Sequence, residues 1–272
     1  MNSYETGNLA DFNLAHIFEC GQCFRWNRIS ENLFEGVAFG RSVKMETFDW
    51  ETGKVKLRIT PCTKEEFEKI WYPYLDLGRD YGKIKRQLSE DDKVLEEAVK
   101  YGYGIRILNQ DLWETVISFI ISQNNNIPRI KGCIEKFCRI FGEELPDGKF
   151  AFPKAEDIAK LREEDLAEVR LGYRAKYITA TAKSIADKGL PKNEEELLKL
   201  TGIGPKVANC ITLFGMAKYD SFPIDVWVKR VMNELYGIPL SDVKAMKKYA
   251  RENFRDFGGF AQQYLFYYMR DR

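Results

Sequence analysis

The stretch LTGIGPKVANC, Leu200–Cys210, decides how this chain is read. Two glycines, Gly202 and Gly204, flank Ile203 between two helical patterns, so the segment reads as a tight turn feeding a helix. A helix start carries unpaired N–H groups and the positive end of the dipole, which favours anions and disfavours an ammonium. Lys206 nonetheless stands there, where a cation gains least from its charge. Such a lysine is most useful as the free amine, a nucleophile able to form a Schiff base at a sugar carbon. Cys210 follows at i+4 and shares its helix face. Asp225, in FPIDVWVKR, lies nineteen positions after Lys206 and opens another helix, where it is expected to act as N-cap. Two neighbouring helix starts would bring this carboxylate and the lysine to one cleft, where positive helix ends and low hydration lower the lysine's proton affinity. The N–H groups exposed at Gly202 and Gly204 also suit a DNA phosphate. Taken alone, the glycine turn is weak evidence and favours a plain helix–turn–helix.

The totals narrow the class. With 272 residues, the chain can bury a sizeable core and is expected to hold two domains. Forty-two basic against 41 acidic residues give a net charge of +1, which excludes a surface coated in basic charge but leaves room for a basic stripe. The opening MNSYETGNLADFN has no charged segment followed by an apolar one, so no signal peptide is expected. The longest apolar run, around Val116–Ile121, falls short of the roughly 18 residues of a membrane span. The expected location is cytoplasmic and nucleoid-associated in a prokaryote, or nuclear in a eukaryote, with no membrane partner. Six cysteines in such a chain read as reduced thiols. Cys20 and Cys23 form a CxxC near His16, the single histidine, but no second ligand pair lies nearby, so no metal site is expected.

The organisation is α+β. Residues 1–105 read as an N-terminal antiparallel β-sheet domain with flanking helices, and 106–272 as a helical domain carrying a helix–hairpin–helix. NLFEGVAFGRSVKMETFDW alternates Val43 and Met45 with polar residues after an expected Gly40–Arg41 turn, a hairpin signal. SEDDKVLEEAVKYGYG predicts a helix capped by Ser89. Asp111 is the expected N-cap of QDLWETVISFIISQ, and Gly142 the expected C-cap of IPRIKGCIEKFCRIFG. Gln262 and Phe266 lie one turn apart, so an amide and an aromatic ring can line one pocket.

These motifs resemble the 8-oxoguanine DNA glycosylase/AP lyase family of helix–hairpin–helix base-excision enzymes. LTGIGPKVANC…FPIDV is similar to that family's hairpin with its catalytic lysine and aspartate. CGQCFRW (20–26), GIRILNQD (104–111), SQNNNIPRI (122–130), LGYRAKYI (171–178) and FAQQYLF (260–266) resemble its further blocks, in its order. The resemblance covers roughly residues 15 to 270 and implies excision of 8-oxoguanine from duplex DNA, followed by β-elimination at the abasic site. By it, Lys206 attacks the sugar C1′ and Asp225 stabilises the oxocarbenium-like transition state. Cys210 and Phe266 sandwich the flipped base, Gln262 reads its Watson–Crick edge, and the Gly21 carbonyl accepts from N7–H. Asn124 fills the vacated space and Tyr173 wedges beside it, while Arg129 and Arg174 contact the widowed cytosine. Gly202, Gly204, Val207 and Trp227 face the backbone. Eukaryotic members carry histidine where Trp227 stands here, so one cationic contact is missing. The resemblance implies a monomer acting on double-stranded DNA containing 8-oxoguanine or abasic sites, with no metal or organic cofactor. Two rival readings remain: a glycosylase for an alkylated purine, which would not need Lys206, and a non-catalytic DNA-binding module.

Overall fold

A computed structural model of the chain describes residues 2–270. Six strands form one antiparallel sheet: β1 Tyr4–Glu5, β2 Leu9–Ala10, β3 Trp26–Ser30, β4 Leu33–Ala38, β5 Arg41–Glu51 and β6 Lys54–Thr60. Their order is β1-β6-β5-β4-β3, with β2 also paired to β6. Alternation puts Val43 and Met45 of β5, and Val55, Leu57 and Ile59 of β6, in the core. The β4–β5 hairpin differs by one residue from expectation. Ala38 pairs with Arg41, so Phe39 and Gly40 form the turn, with φ of 51° and 67°. Two positive φ values make a turn whose twist matches the strands, so the glycine takes the second position and Arg41 already belongs to β5.

Helix α1, Leu14–Phe18, and a helical segment after β6 cover one face of this sheet. That segment comprises α2, Lys64–Glu66, a π turn at Phe67–Trp71, and α3, Tyr72–Tyr74. Thr63 starts it with a capping box, exchanging bonds with Glu66. Phe34, Met45, Leu57, Ile59 and Trp71 fill the core between these layers.

Two helices follow, α4 Tyr81–Ser89 and α5 Lys93–Tyr101. Asp92, not the expected Ser89, caps α5 and accepts from Val94 N (2.9 Å) and Leu95 N (3.0 Å). Ser89 instead ends α4 and donates to the Lys85 carbonyl at 2.7 Å. A serine hydroxyl bonded into its own last turn does not cap the next helix.

The helical body contains α6 Leu112–Ser122, α7 Ile127–Phe141, α8 Ala155–Ile158, α9 Arg174–Lys188, α10 Glu194–Leu198, α11 Pro205–Gly215, α12 Val226–Glu234, α13 Val243–Asn253 and α14 Gly258–Arg270. Its core also takes in Tyr81, Ile84, Leu88 and Leu95 from α4 and α5. Asp111 caps α6 as expected. Buried from Val116 through Ile121, α6 is the central helix, and α11 packs along it while α12 packs on α14. Gly142 does end α7, but with extended backbone at φ −87°. A Cβ there would fall 2.0 Å from the Ala151 carbonyl oxygen, so close approach of the returning chain requires the glycine. Among the described residues no helix is long and apolar enough to cross a membrane.

One buried side chain, Gln22, ties the two cores together. Its amide donates to the carbonyls of Ile17 (2.8 Å) and Arg106 (2.7 Å) and accepts from Leu108 N (2.9 Å). Gln263 on α14 adds a donation to the Cys20 carbonyl at 2.6 Å. Together they hold residues 20–22 against the helical body.

Candidate active site

The hairpin between α10 and α11 is shaped by its glycines. Gly202 has φ +83°, and a Cβ on it would lie 2.3 Å from Tyr177 Cδ2. Both reasons exclude other residues. Gly204 differs: a Cβ there would meet nothing within 4 Å. It opens α11 with no side-chain cap. Ala208 is the residue that bonds back, to Gly204 O at 2.9 Å, so the N–H groups of Lys206 and Val207 precede the helical ladder. The Val207 side chain is buried, which leaves only its backbone for a ligand.

Lys206 lies on the first turn of α11, with its Nζ 5.9 Å from the centre of the Phe119 ring. The residue is exposed, so the low hydration expected around it is not found. Its charge is felt by two neighbours. Burial pushes the Cys210 thiol up, and Lys206 opposes that shift. Burial also raises the Asp225 carboxyl, opposed by the Val228 N–H and by the charge on Lys206. Asp225 is the N-cap of α12, as expected, and Oδ1 accepts from Trp227 N (3.0 Å) and Val228 N (2.8 Å).

One cavity gathers six of the expected residues: Gly21, Lys206, Cys210, Asp225, Gln262 and Phe266. Cys20, Phe119, Phe214, Pro223 and Gln263 complete its wall. None of these five was anticipated as a site residue. Gln263, beside Gln262 in the same helix, was the readable one. The cavity measures about 60 Å³, against the roughly 300 Å³ or more of pockets that enclose a small ligand. The cause is visible in the Phe266 ring, whose Cε1 would stand 3.0 Å from a Cβ on Gly21. The slot is closed by this ring where it packs against Gly21. Gln262 is buried and its Oε1 has no hydrogen-bond partner among the described residues. A buried acceptor without a donor is costly, and Gln262 is one of the residues that line this cavity.

Beside the pocket runs the loop from 123 to 126. Asn124 is exposed and left-handed at φ 47°, a conformation asparagine tolerates. Arg174 is buried under it and acts as a brace. Its Nε donates to Gln123 O (2.9 Å), Nη1 to Leu171 O (3.1 Å), and Nη2 to Asn124 O (3.1 Å) and to Gln123 O. Gln123 in turn donates from Nε2 to Gly202 O at 3.0 Å, joining the loop to the hairpin. Tyr173 stands 48% exposed above this brace, edge-on to Tyr177 with centroids 5.5 Å apart. Arg129 is exposed on the first turn of α7. Trp227 is half-buried on α12, 5.0 Å beneath the Arg230 guanidinium. Cys20 and Cys23 are buried thiols, and burial pushes Cys20 up to about 11. No group of three or more His, Cys, Asp or Glu among the described residues is placed to hold a metal.

Residues 6–116 match the family model of the 8-oxoguanine DNA glycosylase N-terminal domain, and 117–256 that of the HhH-GPD superfamily of base excision DNA repair proteins. The chain belongs to the 8-oxoguanine DNA glycosylase/AP lyase family. It is 30% identical to the N-glycosylase/DNA lyase of Saccharomyces cerevisiae, over 87% of this chain and 72% of that one. It is 31% identical to a probable N-glycosylase/DNA lyase of Methanothermobacter thermautotrophicus, over 79% of each. A crystal structure of Clostridium acetobutylicum 8-oxoguanine glycosylase/lyase, in complex with double-stranded DNA containing cytosine opposite 8-oxoguanine, superposes with a TM-score of 0.90. The two chains are 40% identical, with 100% of this chain and 98% of that one covered.

Proposed function

We propose that this chain is a bifunctional DNA repair enzyme that excises 8-oxoguanine from duplex DNA and then cleaves the strand at the abasic site. One observation carries the reading. Residues from four distant segments, Gly21, Lys206 with Cys210, Asp225, and Gln262 with Phe266, line a single cavity. The free amine of Lys206 attacks C1′ of the flipped nucleotide while the C1′–N9 bond breaks and its electron pair leaves with the base. Asp225, ionised, stabilises the positive charge that develops on the sugar. Ring opening then gives an imine at C1′, and loss of a C2′ proton expels the 3′ phosphate by β-elimination. No metal or organic cofactor enters these steps, and a monomer suffices.

The pocket's polarity supports a guanine-type base. The orphan Gln262 Oε1 accepts from a Watson–Crick edge bearing N1–H and an exocyclic amine. Adenine offers an acceptor at N1. The Gly21 segment brings backbone close to the base, and an N7–H, present in 8-oxoguanine and absent from guanine, is the donor its carbonyl selects. Opposite the lesion, cytosine presents two adjacent acceptors, N3 and O2, to donor-only arginines. Arg129 is exposed and reaches such a base directly. Arg174 reaches it by giving up loop carbonyls as the 123–126 loop rearranges on DNA. The relatives named as N-glycosylase/DNA lyases, and the neighbour bound to DNA with cytosine opposite 8-oxoguanine, point the same way.

The test is excision from defined duplexes. Expected is rapid release of 8-oxoguanine opposite cytosine, slower release opposite adenine, strand cleavage at a preformed abasic site, and little release of 7-methylguanine. Preferred release of 7-methylguanine would overturn the reading in favour of an alkylation glycosylase.

A further inference from the structure

Resting on the reading of this chain as a DNA glycosylase, we infer that Arg230, seated on the Trp227 indole, is a phosphate-binding residue that sets the register of the DNA backbone beside the lesion pocket. Helix α12 starts at the wall of that pocket. Its cap, Asp225, lines the cavity. The next residue, Val226, is 68% exposed, the most exposed large apolar side chain among the described residues. Trp227 is half-buried behind it, and its indole N–H has no hydrogen-bond partner among the described residues. One turn on, the Arg230 guanidinium lies 5.0 Å from the centre of that indole ring.

Two facts set Arg230 apart from an ordinary surface arginine. It makes no ion pair among the described residues, although Glu234 stands one turn further along the same helix. Contact with an aromatic face restricts its long side chain, so less freedom remains to be lost when a ligand binds. A planar fork held in place with unmet donors matches a phosphate diester, which accepts two parallel N–H bonds. In sequence Val226 and Trp227 lie between Asp225, which lines the cavity, and Arg230, so the inferred backbone path runs over them. A phosphate contact of this kind carries no base information but fixes where the duplex sits. Lysine at 230 would keep the charge and lose both the flat contact and the fork.

Salt dependence gives a direct test. Affinity for a duplex carrying a non-cleavable abasic analogue opposite cytosine is measured between 50 and 150 mM salt, for wild type, Arg230→Ala, Arg230→Lys, Trp227→Ala and the Arg230→Ala/Trp227→Ala double variant. Each phosphate contact contributes about 0.9 to the slope of log affinity against log salt. Removing one makes the threefold salt change cost about 2.7-fold less in affinity. Arg230→Ala is expected to show that shallower slope, with thermal stability unchanged because the side chain is exposed. Trp227→Ala should match it, the double variant should lose no more than either single one, and lysine should restore the slope only partly. Tight wild-type binding with an Arg230→Ala slope equal to wild type would overturn this assignment alone. Failure of the wild type to bind the duplex would overturn the glycosylase reading itself, and this assignment with it.

Discussion

Two helix starts border the lesion pocket, and the chain treats them in opposite ways. At α12 the Asp225 carboxylate accepts from the N–H groups of Trp227 and Val228, so that terminus is satisfied from within. At α11 the N-cap is Gly204, no side chain caps it, and the N–H groups of Lys206 and Val207 have no helical acceptor. No contact within the protein demands glycine at 204, since a Cβ there meets open space. A serine, threonine or aspartate cap would stabilise the helix. A helix start kept bare by glycine suits the phosphate contact proposed for it, while the capped one, on the same proposal, uses its carboxylate twice, for its own backbone and for the sugar. On that proposal the lysine nucleophile stands on the bare start, where a phosphate held by neighbouring N–H groups would bring the sugar within reach.

Separating Asp225's two tasks should produce the largest effect of the variants on this comparison. Asparagine caps a helix about as well as aspartate, so Asp225→Asn should leave thermal unfolding nearly unchanged. Without the charge that stabilises the sugar cation, single-turnover excision should fall by roughly 10²–10³, as for a lost transition-state donor. An unimpaired rate would reduce Asp225 to a cap. Next in size is the ring that closes the slot. Phe266→Ala should open the cavity against Gly21 and still weaken lesion binding by about 1–3 kcal/mol through lost stacking, measured on a duplex with an uncleavable 8-oxoguanine analogue. Tighter binding would mean that displacing the ring outweighs stacking on it. The smallest effect belongs to the bare start. Gly204→Ser should raise stability by a few tenths of a kcal/mol yet lower affinity for undamaged duplex, because the new hydroxyl occupies an N–H that phosphate would use. Unchanged DNA affinity would show that phosphate binds elsewhere.

Much of this site was legible in the sequence because its markers are local. The glycines around Ile203, the lysine after them, and a carboxylate at a second helix start are each read within a few residues, and alternation in β5 and β6 announces the sheet. What stayed hidden depends on distant neighbours or on one-residue choices. The hairpin turn falls at Phe39–Gly40 because phenylalanine there accepts a left-handed backbone, which no propensity suggests. Asp92 caps α5 because Ser89 is engaged by its own helix. Arg174, expected at the widowed cytosine, is buried and braces the loop through carbonyls some fifty residues away. The exposure of Lys206 and the closure of the slot by Phe266 on Gly21 are facts of packing between segments, and no pattern within either segment records them.

The central claim is that Lys206 forms the covalent bond to DNA, and borohydride trapping tests it most directly. Wild type and Lys206→Gln are incubated with a duplex bearing 8-oxoguanine opposite cytosine while borohydride reduces any imine formed. The account predicts a stable protein–DNA cross-link with wild type. It predicts none with Lys206→Gln, which should still bind the duplex but neither release the base nor cut the strand. A cross-link that survives the Lys206→Gln substitution would place the nucleophile elsewhere and contradict the account.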